Sequence, residues 1–422
     1  MKAAFGGLFY FCGMLKNQSL SQLEFIALMA SLMSVVALAI DALLPALDVI
    51  GITIGTQNTA DNQLIITMIF LGLGVGPLLF GPISDAMGRK PIVYMGFALF
   101  LVASIVCVFA QSLEVMIVGR ILQGIGLSAP RTICIAIIRD LYHGDYMARI
   151  LSFVTVVFLL IPIVAPAAGK FVLDHYNWQG IFYAQLGFSA LVCAWFWKRQ
   201  RETLAVEKRV PFTRHLFMDG FKQVVREKST MGYTLISGFV FGSFMVYLSG
   251  SQQIFEVQYG MKEEFPFIFA GLSIAIGLAI FTNGSLVLKF GMQKMVSTAL
   301  LGFFIISTLY VVLFYGQENP SIWVIMGFFG LQFFAIGFLF GNLRALAMEP
   351  MGHIAGIAAA ITGLISTLMA IPISTFIGRF IEYKVWPIFF GFMICSFISL
   401  WLMQYSKKAA RKKQLLMNGE SQ

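Results

Sequence analysis

Three ionisable residues lie inside long apolar stretches of the sequence: Asp41, Arg120 and Arg131. A charge within a membrane is costly, so such residues are functional candidates by default. Among the twenty acids, Asp41 is the one that falls well inside such a stretch. A carboxyl group there can take up and release a proton, and its proton affinity depends on contact with water and on nearby arginines. The pattern favours a proton- or cation-binding site, with a purely structural ion pair as the alternative.

The composition indicates the elements that must position these residues. Of 422 residues, 59% are hydrophobic and 12% are charged, whereas soluble domains are about 25% charged. This argues against a soluble enzyme, a disordered protein and a nucleic-acid-binding protein. A membrane-spanning helix needs about 20 mostly apolar residues. Twelve such stretches are present, and each predicts a helix: 25–48, 62–82, 91–110, 114–138, 150–172, 180–198, 231–252, 266–288, 295–315, 321–346, 354–377 and 386–405.

A long polar connector divides the twelve predicted helices into two groups of six. The sequence predicts an N-terminal bundle at 21–198, a central cytoplasmic loop at 199–230 and a C-terminal bundle at 231–405. Residues 1–20 are interpreted as a cytoplasmic extension, and 406–422 as a basic cytoplasmic tail. Two six-helix groups around one loop suggest homologous halves.

A trace of an internal repeat agrees with this division. Gly284 and Gly291 repeat the spacing of Gly81 and Gly88, at an offset of 203 residues. The charged positions between them are not repeated.

The basic residues predict the orientation. In the twelve-helix arrangement, 23 of the 29 lysines and arginines fall on one side. Loops rich in lysine and arginine remain on the cytoplasmic side, so both termini are predicted to be cytoplasmic.

The position of each of the three embedded charges along its helix gives its depth in the membrane. With a rise of about 1.5 Å per residue, Asp41 and Arg120 lie at similar depth in the periplasmic half. They are expected to pair directly or through a hydrogen-bond network. Arg131 follows Arg120 by eleven residues, close to three turns, and therefore shares its face. It is predicted either to line the inner half of a cavity or to reach the cytoplasmic interface.

The connector between the second and third predicted helices carries a motif with glycines, an acid and two basic residues. It reads Gly81-Pro-Ile-Ser-Asp85-Ala-Met-Gly88-Arg89-Lys90. The glycines allow a tight turn, and the acid can accept bonds from a helix N-terminus or a basic partner. We interpret the segment as a conformational latch. It resembles the signature cytoplasmic loop of the major facilitator superfamily.

Two further segments extend this resemblance. Gly119-Arg120-Ile-Leu-Gln123-Gly124 is similar to the fourth-helix motif of proton-coupled members. Pro162-Ile-Val-Ala-Pro166-Ala-Ala-Gly169 resembles the fifth-helix motif of exporters, although Lys170 stands where a second glycine is usual.

The nearest subfamily by resemblance is the bicyclomycin/chloramphenicol type of bacterial drug:proton antiporter. Asp41-Ala-Leu-Leu-Pro45 is similar to its first-helix segment, whereas Arg131 departs from its usual small or neutral residue.

The resemblance implies an all-α protein of twelve transmembrane helices in the bacterial inner membrane. It implies proton-coupled export of small amphipathic molecules, with Asp41 as the proton carrier and Arg120 and Gln123 tuning it. The candidate substrate contacts, several of which could instead be contacts between helices, are Asp41, Arg131, Tyr247, Asn283, Gln332 and Asn342.

Two other functions stay open. One is a dedicated exporter of a natural product such as a siderophore, in which Arg131 would attract an anionic group. The other is a proton-coupled nutrient importer.

Other classes fit the residues poorly. The predicted helices hold no interior histidine, which disfavours an enzyme, and the sequence has no phosphate-binding loop of an ATP-driven pump. We expect a small-molecule substrate, protons and the lipid bilayer as partners, with no cofactor, no metal and no nucleic acid. We expect the protein to act as a monomer.

Overall fold

The structure is a computed structural model of the chain, and it describes residues 21–56, 58–142, 144–209, 214–381 and 384–419. The predicted N-terminal extension, 1–20, lies outside the described residues. The side chains of the basic tail after Ser406 are outside them as well.

The described part of the chain is built from α-helices joined by short turns. In chain order they are α1 (Gln22–Asp41), α2 (Leu47–Ile54), α3 (Thr59–Met87), α4 (Arg89–Val108), α5 (Leu113–Leu141), α6 (Gly144–His175), α7 (Trp178–Arg199), α8 (Arg214–Arg226), α9 (Lys228–Gln252), α10 (Phe265–Phe290), α11 (Met292–Phe314), α12 (Ile322–Met348), α13 (Ala355–Gly378) and α14 (Trp386–Gly419).

Eleven segments of the described chain are long and apolar enough to cross a membrane. One of them, Gln22–Ile54, joins α1 and α2. In addition, α6 is a single helix that covers the predicted fifth span, 150–172. The prediction of an all-α, twelve-helix membrane protein is therefore confirmed. We name its two faces by the predicted orientation, so that the α3–α4 turn lies at the inner face and the α2–α3 turn at the outer face.

The first span is interrupted in its middle. Helix α1 ends at Asp41, a 3-10 turn covers Leu44–Ala46, and α2 begins at Leu47. Pro45 has no N–H to donate to the carbonyl four residues earlier, and that carbonyl belongs to Asp41. The break therefore follows from the sequence and places the acid at a helix end inside the membrane.

Two helix pairs join the N-terminal and C-terminal halves. Helix α3 packs along α13, and α6 packs along α10. Within the halves, α5 packs between α3 and α4, while α9 packs against α13 and α14. Helices α1, α5, α9 and α12 carry most of the candidate proton- and substrate-site residues, whereas Asn283 lies on α10.

The segment between the halves contains a helix that the sequence does not predict. Helix α8 packs against α13 at the inner face. Its fully buried Val224 joins Met351, Ala358 and Ile361 in a small apolar cluster, and Leu78 of α3 packs against that cluster. The central segment is thus partly ordered by contacts with both halves.

The internal repeat is visible in the backbone. Gly88 and Gly291 have φ values of 105° and 78° with ψ values of 165° and 151°, and each caps the start of the following helix. This region of backbone conformation is almost restricted to glycine. The repeated glycines therefore form the same sharp inner turn in each half.

Replacing the second turn glycine should destabilise the protein. We expect Gly291→Ala to lower the free energy of unfolding by about 1–3 kcal/mol, because alanine is strained in that conformation. Gly284→Ala is the matched control: it lies inside α10 with nothing within 4 Å of an added β-carbon, so it should be neutral or stabilising. Thermal unfolding of the purified protein in detergent measures both. Equal melting temperatures would contradict the argument.

Candidate functional site

Asp41 is buried at the break of the first span, with 5% of its surface exposed. The described residues give its carboxylate no salt bridge and no hydrogen bond. The acid therefore sits in the membrane interior without a direct partner from the described part of the chain. This is a costly arrangement for a charged group and an acceptable one for a neutral acid.

Arg120 is fully buried and is bound to backbone carbonyls. Its Nε donates to the carbonyl of Ile65 on α3 at 2.8 Å, and Nη1 and Nη2 both donate to the carbonyl of Ala39 on α1 at 3.1 Å. Ala39 lies in the last turn of α1, where carbonyls lack intrahelical donors. The helix end at Asp41 therefore also supplies the acceptor for Arg120.

Gln123 completes this network. Its Oε1 accepts from Arg120 Nη1 at 2.8 Å, and its Nε2 donates to Ser104 Oγ of α4 at 2.7 Å. Among the described residues neither arrangement that the sequence leaves open is present: Arg120 makes no ion pair with Asp41, and its hydrogen bonds end at the Ala39 carbonyl without including the carboxylate. Arg120 reaches the backbone two residues before Asp41.

Helix α6 contacts the first span beside the acid. Gly169 packs against the backbone of Ala42, and a β-carbon there would overlap the Ala42 carbonyl. Pro162 and Pro166 lie inside the same helix. The exporter-like motif is therefore the surface by which α6 meets the helix break.

Tyr247 brings the C-terminal half to this site. Its ring lies 4.4 Å from that of Phe333 and 5.2 Å from that of Phe329, both on α12. The phenol is buried, its hydroxyl has no partner among the described residues, and it lies within electrostatic reach of Asp41. The two halves thus meet at an acid and an unpartnered hydroxyl.

The remaining polar candidates of the C-terminal half are engaged with other helices. Asn342 of α12 donates to Asn283 Oδ1 of α10 at 2.7 Å. Gln332 is fully buried and donates to Ser307 Oγ of α11 at 2.6 Å. The sequence leaves two roles open for Gln332, a substrate contact or a contact between helices. The structure shows the contact between helices.

Arg131 is exposed on the inner part of α5. The described residues place no carboxylate within salt-bridge distance of it. The structure brings it near Arg344 of α12, a residue that the sequence analysis does not single out.

The predicted latch is a network of charged groups at the inner face. Arg89 binds Asp85 through Nη1 at 2.6 Å and Asp140 at the end of α5 through Nε at 2.9 Å. Thr203 Oγ1 donates to the same carboxylate at 3.0 Å. The network therefore ties the α3–α4 turn to α5 and to the segment after α7.

Glu202 caps the start of α4 within this network. Its two carboxylate oxygens accept from the backbone N–H groups of Arg89 and Lys90, each at 2.9 Å. Partial burial alone would raise the pKa of Glu202, but these bonds and those from Thr203 and Leu204 hold that pKa below its usual range. Among the described residues, the latch partners lie in the N-terminal bundle and at the start of the central loop, and none lies in the C-terminal bundle.

Asp140 and Glu202 are functional candidates that the sequence motifs described above do not include. The sequence signal that points to them is the two adjacent basic residues Arg89 and Lys90, which together need acidic partners from elsewhere in the chain.

Polar contacts at the outer face hold the two halves together. Gln63 of α3 donates to Gln253 Oε1 at 3.0 Å and Gln252 donates to Asp48 at 3.0 Å. Lys170 of α6 pairs with Glu263 at 3.1 Å. By contrast, the inner stretch of α10 from Ile280 onward contains no buried residue in the described structure. The conformation is closed at the outer face.

Comparisons with known proteins agree with this architecture. The family model of the Major Facilitator Superfamily matches residues 25–371. Two solved structures are similar in fold: a D-xylose–proton symporter, with a TM-score of 0.67, 14% identity and 92% and 97% of the two chains covered, and the human organic anion transporter MFSD10, with a TM-score of 0.62, 15% identity and 90% and 99% covered.

Three sequence relatives come from bacteria. An uncharacterised transporter of Bacillus subtilis, YdgK, is 28% identical over 75% of this chain and 79% of its own. A bicyclomycin resistance protein homolog of Haemophilus influenzae is 25% identical over 91% and 96%, and the multidrug resistance protein MdtL of Escherichia fergusonii is 25% identical over 82% and 87%. The chain belongs to the major facilitator superfamily, and its motifs and relatives are those of the drug-efflux type.

Proposed function

We propose that the protein is a proton-coupled secondary transporter that exports small amphipathic molecules across the bacterial inner membrane by alternating access. The observation that carries the proposal is the position of Asp41. It is a buried acid at a mid-membrane helix break, beside Tyr247 of the opposite half, and the described residues give it no direct partner.

This position links protonation to conformation. When the halves are closed at this level, Asp41 has little contact with water, and a neutral acid is favoured there over a carboxylate that would need solvation. When the halves separate, water can reach the acid and stabilise its charged form. Rocking of the two halves would therefore load a proton in one state and release it in the other.

The Arg120 network keeps the carrier in place during this cycle. Its four hydrogen bonds fix α1, α3 and α5 relative to one another. Because the guanidinium does not bond the carboxylate, it leaves the proton site unoccupied. We assign Arg120 and Gln123 as positioning residues for Asp41.

Names of relatives support export of drug-like compounds, since two of them are called resistance proteins. Gly169 of the exporter-like motif contacts Ala42, the residue after Asp41, and this contact supports a role of the motif in export. We further propose that both termini are cytoplasmic and that the protein works as a monomer.

Neutralising the carrier should uncouple transport. We expect Asp41→Asn to reduce uphill transport driven by a pH gradient to the passive level, because an amide cannot exchange a proton. Asp61→Asn at the outer start of α3 should leave it unchanged. The measurement is accumulation of chloramphenicol, ethidium and 2-naphthoate in proteoliposomes with an acidic interior.

Two outcomes would contradict this assignment. Full uphill accumulation by Asp41→Asn would exclude Asp41 as the proton carrier. Proton-driven movement of a substrate in the same direction as the proton would indicate a nutrient importer.

The latch should bias the conformational equilibrium. Its bonds exist in the conformation that is closed at the outer face, so we expect Arg89→Ala to depopulate that conformation by about two- to tenfold, as for loss of a charge-assisted contact. The readout is maleimide labelling, from the outer side, of a cysteine placed at Leu47, which is buried here. The variant Lys294→Ala, in the matching inner turn of the other half, is the control. Unchanged labelling in Arg89→Ala would show that the motif forms a turn and has no influence on the conformational equilibrium.

A further inference from the structure

Two arginines from opposite halves converge in the inner part of the molecule. Arg131 lies on α5 and Arg344 on α12, about 27 and 33 Å along their helices from the outer ends. They are close enough to repel one another. Neither has a carboxylate within salt-bridge distance among the described residues.

Both arginines point to the interior of the transporter. Arg131 shares a helix face with Arg120, which is bound to α1 and α3. Arg344 follows Phe340 by one turn, and the Phe340 ring packs against Phe244 of α9 at 5.6 Å. Both side chains are nevertheless exposed. They therefore face open space between the halves.

The placement of the two arginines argues against the simpler explanation that they bind lipid headgroups. An isolated arginine near a membrane surface usually extends to lipid phosphates. Here two like charges approach each other on interior faces, an arrangement that costs energy unless an anion compensates it. Guanidinium groups present paired N–H donors that match carboxylate, sulfonate and phosphate oxygens. An anion within reach of both side chains would supply the partner that the described residues do not provide.

We propose that Arg131 and Arg344 together bind the anionic group of the transported substrate, so that the preferred substrate is an amphipathic anion. The apolar part of such a molecule would extend outward from the arginines toward the rings of Phe340, Phe244 and Tyr247. This inference rests on the proposed transport function and specifies its substrate class.

The pair also provides a coupling between binding and closure. One arginine belongs to each half, so an anion held by both draws the inner parts of α5 and α12 together. Without the anion, the two positive charges keep those parts separated. Substrate entering from the inner side would therefore favour the inner-closed state that export requires.

Binding of matched probes tests the proposal. The probes are 2-naphthoate, 2-naphthamide and 2-naphthylmethylammonium, which share one ring system and differ in charge. Binding to the full-length protein in phosphatidylcholine nanodiscs is measured by equilibrium dialysis without a pH gradient. We expect Arg131→Ala and Arg344→Ala each to weaken naphthoate binding by about tenfold or more, as for loss of a charge-assisted bidentate contact, and to spare naphthamide.

The double substitution and the controls make the result specific. The Arg131→Ala/Arg344→Ala variant should lose much less than the product of the single effects, because both side chains bind one group. Arg131→Lys should retain part of the affinity, since it keeps the charge and loses the fork. Arg139→Ala, two turns further along α5 and exposed, should bind naphthoate normally. Equal melting temperatures show that each variant is folded.

Several outcomes would overturn the proposal. These are equal loss of all three probes, unchanged naphthoate binding in either alanine variant, or no preference of the unsubstituted protein for naphthoate over naphthamide. A second nanodisc set containing phosphatidylglycerol identifies a lipid headgroup as the ligand if that lipid blocks naphthoate binding or stabilises the protein only when the arginines are present.

A different result would contradict the proposed function and leave the anion site unaffected. Arginine-dependent binding together with transport that ignores the pH gradient would remove proton coupling and leave the anion site standing.

Discussion

The N-terminal half depends on the hydrogen bonds of the buried Arg120 guanidinium. A guanidinium keeps its charge and all its N–H donors, so in a place without water it must be satisfied by protein acceptors. Those acceptors are the carbonyls of Ala39 and Ile65 and the amide of Gln123. They belong to three helices, and any movement of one helix alone would leave a buried donor unpaired.

This constraint and the position of Asp41 have one origin. Pro45 ends α1 at Asp41, and the same break frees the carbonyl of Ala39 for Arg120. The close approach of Gly169 then packs α6 onto the break. One proline thus sets the place of the acid, the acceptor for the arginine and the contact with the exporter-like helix.

The two ends of the molecule differ in what joins them. At the outer face, side-chain amides and one ion pair connect the halves directly. At the inner face, the strong charged contacts of Arg89 and Glu202 stay within the N-terminal bundle and the start of the central loop. Contact between halves there is apolar, through Leu78 and the cluster around Val224. Such an asymmetry suits a molecule that opens at the inner side.

The sequence by itself determined the twelve helices, their two groups of six and the family, because span length, apolar composition and glycine–charge motifs are local properties of the chain. It also identified Asp41 and Arg120 as neighbours in depth, since the helical rise is fixed. Only the tertiary structure decided that Arg120 binds the Ala39 carbonyl and not the carboxylate, that Gln332 turns toward α11, and that Arg344 lies within electrostatic reach of Arg131. These outcomes depend on how helices distant in sequence are rotated against one another, and no spacing along a single helix contains that angle.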